Sequence, residues 1–177
     1  MNEFTQLILG NPGTSFVVCL MQVLQQKYGY KFENEDQIKI FMKGIVNSPK
    51  VFWSGVINHL ALKYRKEIQV FVNQIWFKKF AEIEVDSEYV FISHNPLTLD
   101  AINILLDTYQ YIVLTVDINF FLPYHDYHFV TISKNKSNYS VFEPKSGKTI
   151  LMTGAKFTKL ITSVTTGLND ISIAFGM

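Results

Sequence analysis

The chain has 177 residues, and its 16 Lys and Arg against 15 Asp and Glu give a formal net charge of +1. That balance provides no field that would attract nucleic acid, and the single Cys excludes an internal disulfide. With 48% hydrophobic and 15% aromatic residues, the chain is long and apolar enough to bury one core, so residues 1–177 are predicted to form a single domain.

The first residues, MNEFTQLILG, have no basic segment ahead of their short apolar run and no convincing cleavage site after it. The longest apolar stretches of the chain are far shorter than the roughly 18 residues that a membrane span requires. We therefore expect a cytoplasmic protein with no membrane span. A protein secreted without a signal peptide would have the same features.

The first third of the sequence has helical periodicity. NPGTSFVVCLMQVLQQKYG begins with a turn and a cap and predicts a helix from about Ser15 to Tyr28, which Gly29 ends. Two further helices are predicted in NEDQIKIFMKGI and from Val51 to Lys66. In the second helix, the apolar residues at helical spacing are Ile38, Phe41, Met42 and Ile45.

The rest of the sequence favours strands. Single strands are predicted in KEIQVFV, YVFIS, QYIVLTVDI and ISIAFG, and helices in LTLDAINILLDTY and GAKFTKLITSVTTG. The clearest hairpin joins YHFVTISK to YSVFEP through the polar turn NKSN, and a second turn, KSGK, leads to TILMT. This order predicts an α+β domain in which an N-terminal helical part packs on a mostly antiparallel sheet.

Three residues with catalytic chemistry fall at the ends of these elements. Ser15 opens the first helix, where unpaired N–H groups and the positive end of the helix dipole favour an anion or a nucleophile. His128 opens the first strand of the hairpin and Glu143 closes the second, so we expect them to meet across the ladder. A nucleophile, a His as base and an acid that orients the His form the general triad arrangement.

Two segments resemble the papain-like cysteine peptidases that remove double-glycine leader peptides from bacteriocins. TSFVVCLMQVLQQKYG resembles their opening [DE]-C-G-x-x-C-L-x-M-[IL]-L-x-x-Y-G, and YHFVTISKNKSNYSVFEPKSGK resembles their H-[FY]-V-V-[IV]…Y-x-V-x-D-P-x-x-G segment. The order of the other elements agrees, so the resemblance covers nearly the whole chain. It implies a papain-like fold and a hydrolase that acts on a peptide or protein substrate or a related amide, without a cofactor.

The resemblance also assigns residues, and some of them depart from the family pattern. Ser15 falls on the nucleophile position, which is Cys in the family, and Glu143 falls where the family has Asp. The oxyanion Gln that precedes the nucleophile by six residues is replaced by Leu9. Asn11 and Gln6 are the remaining oxyanion candidates.

Serine is the largest departure, because a papain-type site works as a thiolate–imidazolium pair that a hydroxyl cannot form. Three explanations stay open: a dead pseudopeptidase that binds a peptide or protein partner in the same cleft, a serine variant that uses His128 only as a base, or a Cys-to-Ser substitution. A transferase on the same scaffold would differ from the hydrolase only in its acceptor.

Cys19 falls on the position of the family's second, non-nucleophilic cysteine and is expected to be buried and inert.

Simpler roles compete with these assignments. Ser15 is favoured at any helix N-terminus, His128 is compatible with a hydrogen-bonded core His, and Glu143 with a turn acid before Pro144. FLPYHDY, ahead of His128, is compatible with the wall of a peptide groove or with cover over the core. No metal site is predicted, because the spacing in HDYH, with only His94 as a further candidate, lacks the paired ligands typical of zinc sites.

Overall fold

The computed structural model describes residues 12–47, 52–72, 88–94, 97–121, 127–167 and 173–177. Within these ranges lie the α-helices α1 (Pro12–Tyr28), α2 (Asn34–Asn47), α3 (Phe52–Tyr64), α4 (Leu99–Tyr109) and α5 (Gly154–Gly167), and a short 3₁₀ helix at Ile118–Phe120. The strands are β1 (Ile68–Val72), β2 (Val90–His94), β3 (Tyr111–Asp117), β4 (Tyr127–Asn135), β5 (Asn138–Glu143), β6 (Lys148–Thr153) and β7 (Ile173–Gly176).

The seven strands of the described residues form one sheet in the order β2-β1-β7-β3-β4-β5-β6. The pair β1–β2 is parallel, and the other ladders are antiparallel. The chain is therefore a mixed α+β protein with a mostly antiparallel sheet, and this part of the prediction is confirmed.

The core lies on both faces of the sheet. One buried cluster joins α1, α2 and α3 to β1, with Val113, Phe129 and Phe142 from the middle of the sheet. The other joins α4 and α5 to the alternate side chains of the same strands, such as Val130 and Val141. This division follows from the alternation of side chains along a strand. The sequence predicted the first helical layer on the sheet and did not assign α4 and α5 to a second.

The central element is α1, because every residue from Phe16 to Met21 is fully buried. A helix that is apolar on all sides has to be covered on all sides. The covering comes from α2 and α3 on one side and from β3 and β4 on the other. Trp53 of α3 contributes, with its ring centroid 4.8 Å from that of Phe16. Trp76, the other tryptophan, lies outside the described residues.

The buried side of α2 differs from what its apolar spacing suggests. Ile40 and Gly44 are buried. Gly44 lies so close to Gly55 of α3 that a Cβ added to Gly55 would be 2.2 Å from the Gly44 carbonyl oxygen. Because the two helices cross at these glycines, the side of α2 that carries Gly44 packs against α3. Three of the four apolar residues at helical spacing are exposed, namely Ile38, Met42 and Ile45. Val46 is exposed as well.

Among the described residues, none of the helices combines the length and the apolar character needed to cross a membrane.

Candidate active site

His128 and Glu143 lie in direct contact at one end of the β4–β5 hairpin. Thr131 pairs with Phe142 in this ladder, so His128 near the start of β4 and Glu143 at the end of β5 are diagonal neighbours on one face of the sheet. His128 Nε2 and Glu143 Oε1 are 2.6 Å apart, and both side chains are buried. The predicted contact between these two residues is confirmed.

The turn after β5 holds the Glu143 carboxylate in place. The N–H of Lys145 donates to Oε1 at 2.7 Å and the N–H of Ser146 donates to Oε2 at 2.8 Å. Gly147 completes this turn with a φ of 67°, a left-handed conformation that favours glycine. The sequence EPKSGK therefore places two backbone donors on an acid that also contacts the imidazole.

These contacts fix the charge of Glu143. Burial by itself raises the pKa of a carboxyl group, but the hydrogen bonds from His128 and from the following turn outweigh it and lower the pKa of Glu143 to about 2. Glu143 is therefore an anion at neutral pH. A neutral His128 then donates from Nε2 to the carboxylate, which leaves Nδ1 as the proton acceptor.

Ser15 reaches the same strand from α1. It lies in the first turn of the helix and is fully buried. The N–H of Phe129, the residue after His128, donates to Ser15 Oγ at 3.3 Å. Ser15 therefore lies next to the residues that carry the His128–Glu143 pair. Its hydrogen bond to β4 involves the backbone N–H of Phe129 and not the imidazole of His128.

Strand alternation explains this geometry. Phe129 belongs to the cluster on the α1 side of the sheet, and Val130 belongs to the cluster on the other side. His128 alternates with Phe129 along β4, so its position shares the face of Val130. Ser15 therefore contacts the backbone of β4 from the α1 side, whereas the His128 position lies on the other face of the sheet, near the end of the strand where α1 begins.

Cys19 lies one helical turn beyond Ser15 and is fully buried, as predicted. Its backbone carbonyl accepts a hydrogen bond of 3.2 Å from the Thr131 hydroxyl, which fixes α1 against β4 a second time. Burial raises the pKa of the Cys19 thiol far above its ordinary value. The thiol is therefore protonated at neutral pH and lies in the core.

The remaining sequence candidates fall outside the described residues. These are the oxyanion candidates Gln6 and Asn11, and His125 and Asp126 of the HDYH segment. Within the described part of the chain, the His, Cys, Asp and Glu side chains form no group of three that could hold a metal ion.

Two buried polar residues of β3 were not singled out from the sequence. Thr115 and Asp117 pair with Phe129 and Tyr127, the residues on either side of His128, so strand alternation places them on the face opposite the His128 position. Asp117 Oδ1 accepts a hydrogen bond of 2.9 Å from the N–H of Asn119. The sequence feature that could have indicated Asp117 is its place near the end of the mostly apolar segment QYIVLTVDI, ahead of the strand that carries His128.

Comparisons of this chain with protein-family models, with curated proteins and with solved structures found no match.

Proposed function

We propose that the chain is a papain-type hydrolase scaffold that acts on a peptide or a related amide. His128 serves as the general base, Glu143 orients it, and position 15 carries the nucleophile. The observation that carries this proposal is the buried His128–Glu143 contact of 2.6 Å, located where the first turn of α1 meets β4.

The chemistry of the pair supports this proposal. A Glu143 anion that binds Nε2 keeps Nδ1 available as a base and stabilises the imidazolium that forms when a proton is taken up. The first turn of α1 adds N–H groups and a partial positive charge near the place where an oxyanion would develop. A thiol at position 15 would be activated there by both effects.

Serine at this position limits the activity. A hydroxyl does not form the resting ion pair of a papain-type site, and Leu9 stands where the resembled family has its oxyanion Gln. We therefore expect the chain as it stands to cleave amides very slowly or not at all, while a peptide still binds.

A second candidate function is a pseudopeptidase that only binds a peptide or protein partner. The observation in its favour is that Ser15 is fully buried and accepts a hydrogen bond from the Phe129 backbone, as a purely structural serine would. The same His–Glu pair would then stabilise the fold at the end of the hairpin.

Covalent capture distinguishes the two functions. We expect Ser15→Cys to react with a peptidyl vinyl sulfone whose two terminal residues are glycines, because the imidazole lowers the barrier to thiolate attack. The unsubstituted chain, which keeps Cys19 and lacks a thiol at position 15, is the matched control and should remain unlabelled. Mass spectrometry of the intact protein and of its peptides measures both results.

The base is tested in the Ser15→Cys background. His128→Gln keeps a hydrogen-bond donor for Glu143 but provides no base, so labelling at position 15 should fall by a factor on the order of 10² or more. Equal labelling with and without His128 would show that the imidazole does not activate position 15. The hydrolase proposal would then be abandoned in favour of the binding protein.

A further inference from the structure

A cavity with a mixed polar and apolar lining lies on the other half of α1, away from Ser15. It has a volume of about 260 Å³ and is lined by side chains of α1, β3, β4, β5 and β6. Gln22 and Gln26, one helical turn apart, form its wall. Ser15 and Gln22 are separated by seven positions, about 10 Å along a helix axis, so the cavity is distinct from the candidate active site.

The floor of the cavity carries hydroxyl groups around the ring of Phe142, and Tyr111 of β3 also belongs to the lining. Phe142 lies between Thr131 of β4 and Thr149 of β6, its cross-strand partners. Directly opposed side chains in adjacent strands have Cβ atoms about 5 Å apart. Ser133 and Ser140 pair with each other one row further along the sheet and also line the cavity.

Gln22 provides a hydrogen-bond acceptor without a partner. The residue is 95% buried, since its exposed fraction is 5%, and its Oε1 has no hydrogen-bond partner. Buried polar atoms in native proteins are normally paired, so this oxygen calls for a donor that the described residues do not supply. Gln22 also lines the cavity, and the last torsion of a glutamine side chain is soft, so a ligand in the cavity can meet this oxygen after rotation about that torsion.

The lining determines which ligands are excluded. All the side chains that line the cavity are uncharged, so it offers no opposite charge to offset the desolvation of a carboxylate, a phosphate or an ammonium group. The floor strands β4 and β5 are paired on both sides, so an extended peptide cannot add to them through backbone hydrogen bonds. The Thr131 hydroxyl already donates to the Cys19 carbonyl and can only accept a further hydrogen bond.

We propose that this cavity binds a neutral polyhydroxyl compound of about the size of one sugar ring. The apolar C–H face of such a ring packs on Phe142, and its hydroxyl groups donate to Gln22 Oε1 and to the Thr131 hydroxyl. The hydroxyls of Ser133 and Ser140 bind the opposite edge. This proposal does not depend on any chemistry at position 15.

The test is a titration of the ¹⁵N-labelled full chain with D-glucose, D-galactose and myo-inositol, followed by NMR. At least one of the three should give saturable shifts of the Gln22 side-chain amide and of the Ser133 and Ser140 backbone amides, with a dissociation constant in the millimolar range or tighter. Gluconate, an anion of similar size, should bind more weakly. If water alone fills the cavity, none of the three compounds produces a saturable shift, and the proposal is overturned.

Two glutamine variants separate binding from folding. Gln22→Met removes the unpaired oxygen and should leave the melting temperature unchanged or raised, while the dissociation constant of the compound that binds rises about tenfold, as loss of one hydrogen bond predicts. Gln25→Met is the matched control, because Gln25 Oε1 is also buried without a partner but does not line the cavity. Equal weakening by both variants would overturn the assignment.

Discussion

At the scale of single residues, the Glu143 carboxylate is bound at both oxygens, by His128 and Lys145 at Oε1 and by Ser146 at Oε2. The pKa of Glu143 falls to about 2 because these hydrogen bonds favour the anion more than burial disfavours it. The charge of Glu143 is thus linked to the stability of the fold as well as to the orientation of His128.

The link predicts how stability depends on pH. A carboxyl group whose pKa is lowered from 4.5 to about 2 on folding stabilises the protein fully above pH 4.5, and that stabilisation is lost as the pH falls toward 2. We expect Glu143→Gln to lower the free energy of unfolding near neutral pH, by at most about 3 kcal/mol, and by much less near about pH 3.

Urea unfolding at both pH values measures this difference. Glu33→Gln, at an exposed position, is the matched control and should change the unfolding free energy little at either pH. A Glu143→Gln effect that is the same at both pH values would show that the carboxylate charge does not contribute to stability.

Cys19 allows a second test at this scale. Because burial raises the pKa of its thiol and the side chain has no exposed surface, we expect a maleimide to label the folded chain much more slowly than the chain in denaturant. Mass spectrometry at successive times gives both rates. Similar rates in the two states would mean that this part of α1 is open to solvent.

At the scale of elements, the crossing of α2 and α3 depends on glycine. We expect Gly55→Ala to lower the free energy of unfolding by about 1–3 kcal/mol, the range for overpacking, because its Cβ would lie 2.2 Å from the Gly44 carbonyl oxygen. Gly154→Ala is the control, since a Cβ there meets no atom within 4 Å. Chemical denaturation of both variants tests the packing, and equal stabilities would contradict the close crossing.

Local patterns were enough to predict several elements. α5 extends from Gly154 to Gly167, as predicted, and the β4–β5 hairpin turns at Lys136, whose φ of 56° fits a tight polar turn. The start of α1 was predicted about three residues too late, because Pro12 is an acceptable first residue of a helix. The buried side of α2 was not predicted, because hydrophobic periodicity counts apolar side chains and does not detect a contact between glycines of two helices.

The candidate site shows the same limit. The contact of His128 with Glu143 spans only 15 positions and follows from hairpin geometry. The contact of Ser15 with Phe129 spans 114 positions and depends on how α1 docks on the sheet. Asp117 was not singled out, because its pairing with Tyr127, next to His128, depends on the register of β3 against β4.

At the scale of the molecule, the same strands contribute to both buried clusters. Along β4, Phe129 belongs to the cluster under α1 and Val130 to the cluster under α5. At the far end of α1, the Lys27 ammonium donates to main-chain oxygens of Tyr109 and Met177, which joins this helix to the ends of α4 and of the chain. Loss of one layer therefore removes support from the other.

This coupling predicts that residues 1–177 unfold as one cooperative unit. Leu160 of α5 is fully buried in one cluster, whereas Trp53 of α3 packs against the other. We expect Leu160→Ala to lower the free energy of unfolding by about 2–5 kcal/mol.

In a Trp76→Phe background, where Trp53 is the single tryptophan, the fluorescence of Trp53 should report the same midpoint shift as circular dichroism, because both clusters are lost together. Leu20→Ala, in the cluster under α1, is the matched variant and should shift both signals as well. A fluorescence midpoint that does not change in Leu160→Ala, beside a shifted circular dichroism transition, would divide the chain into two units that unfold independently.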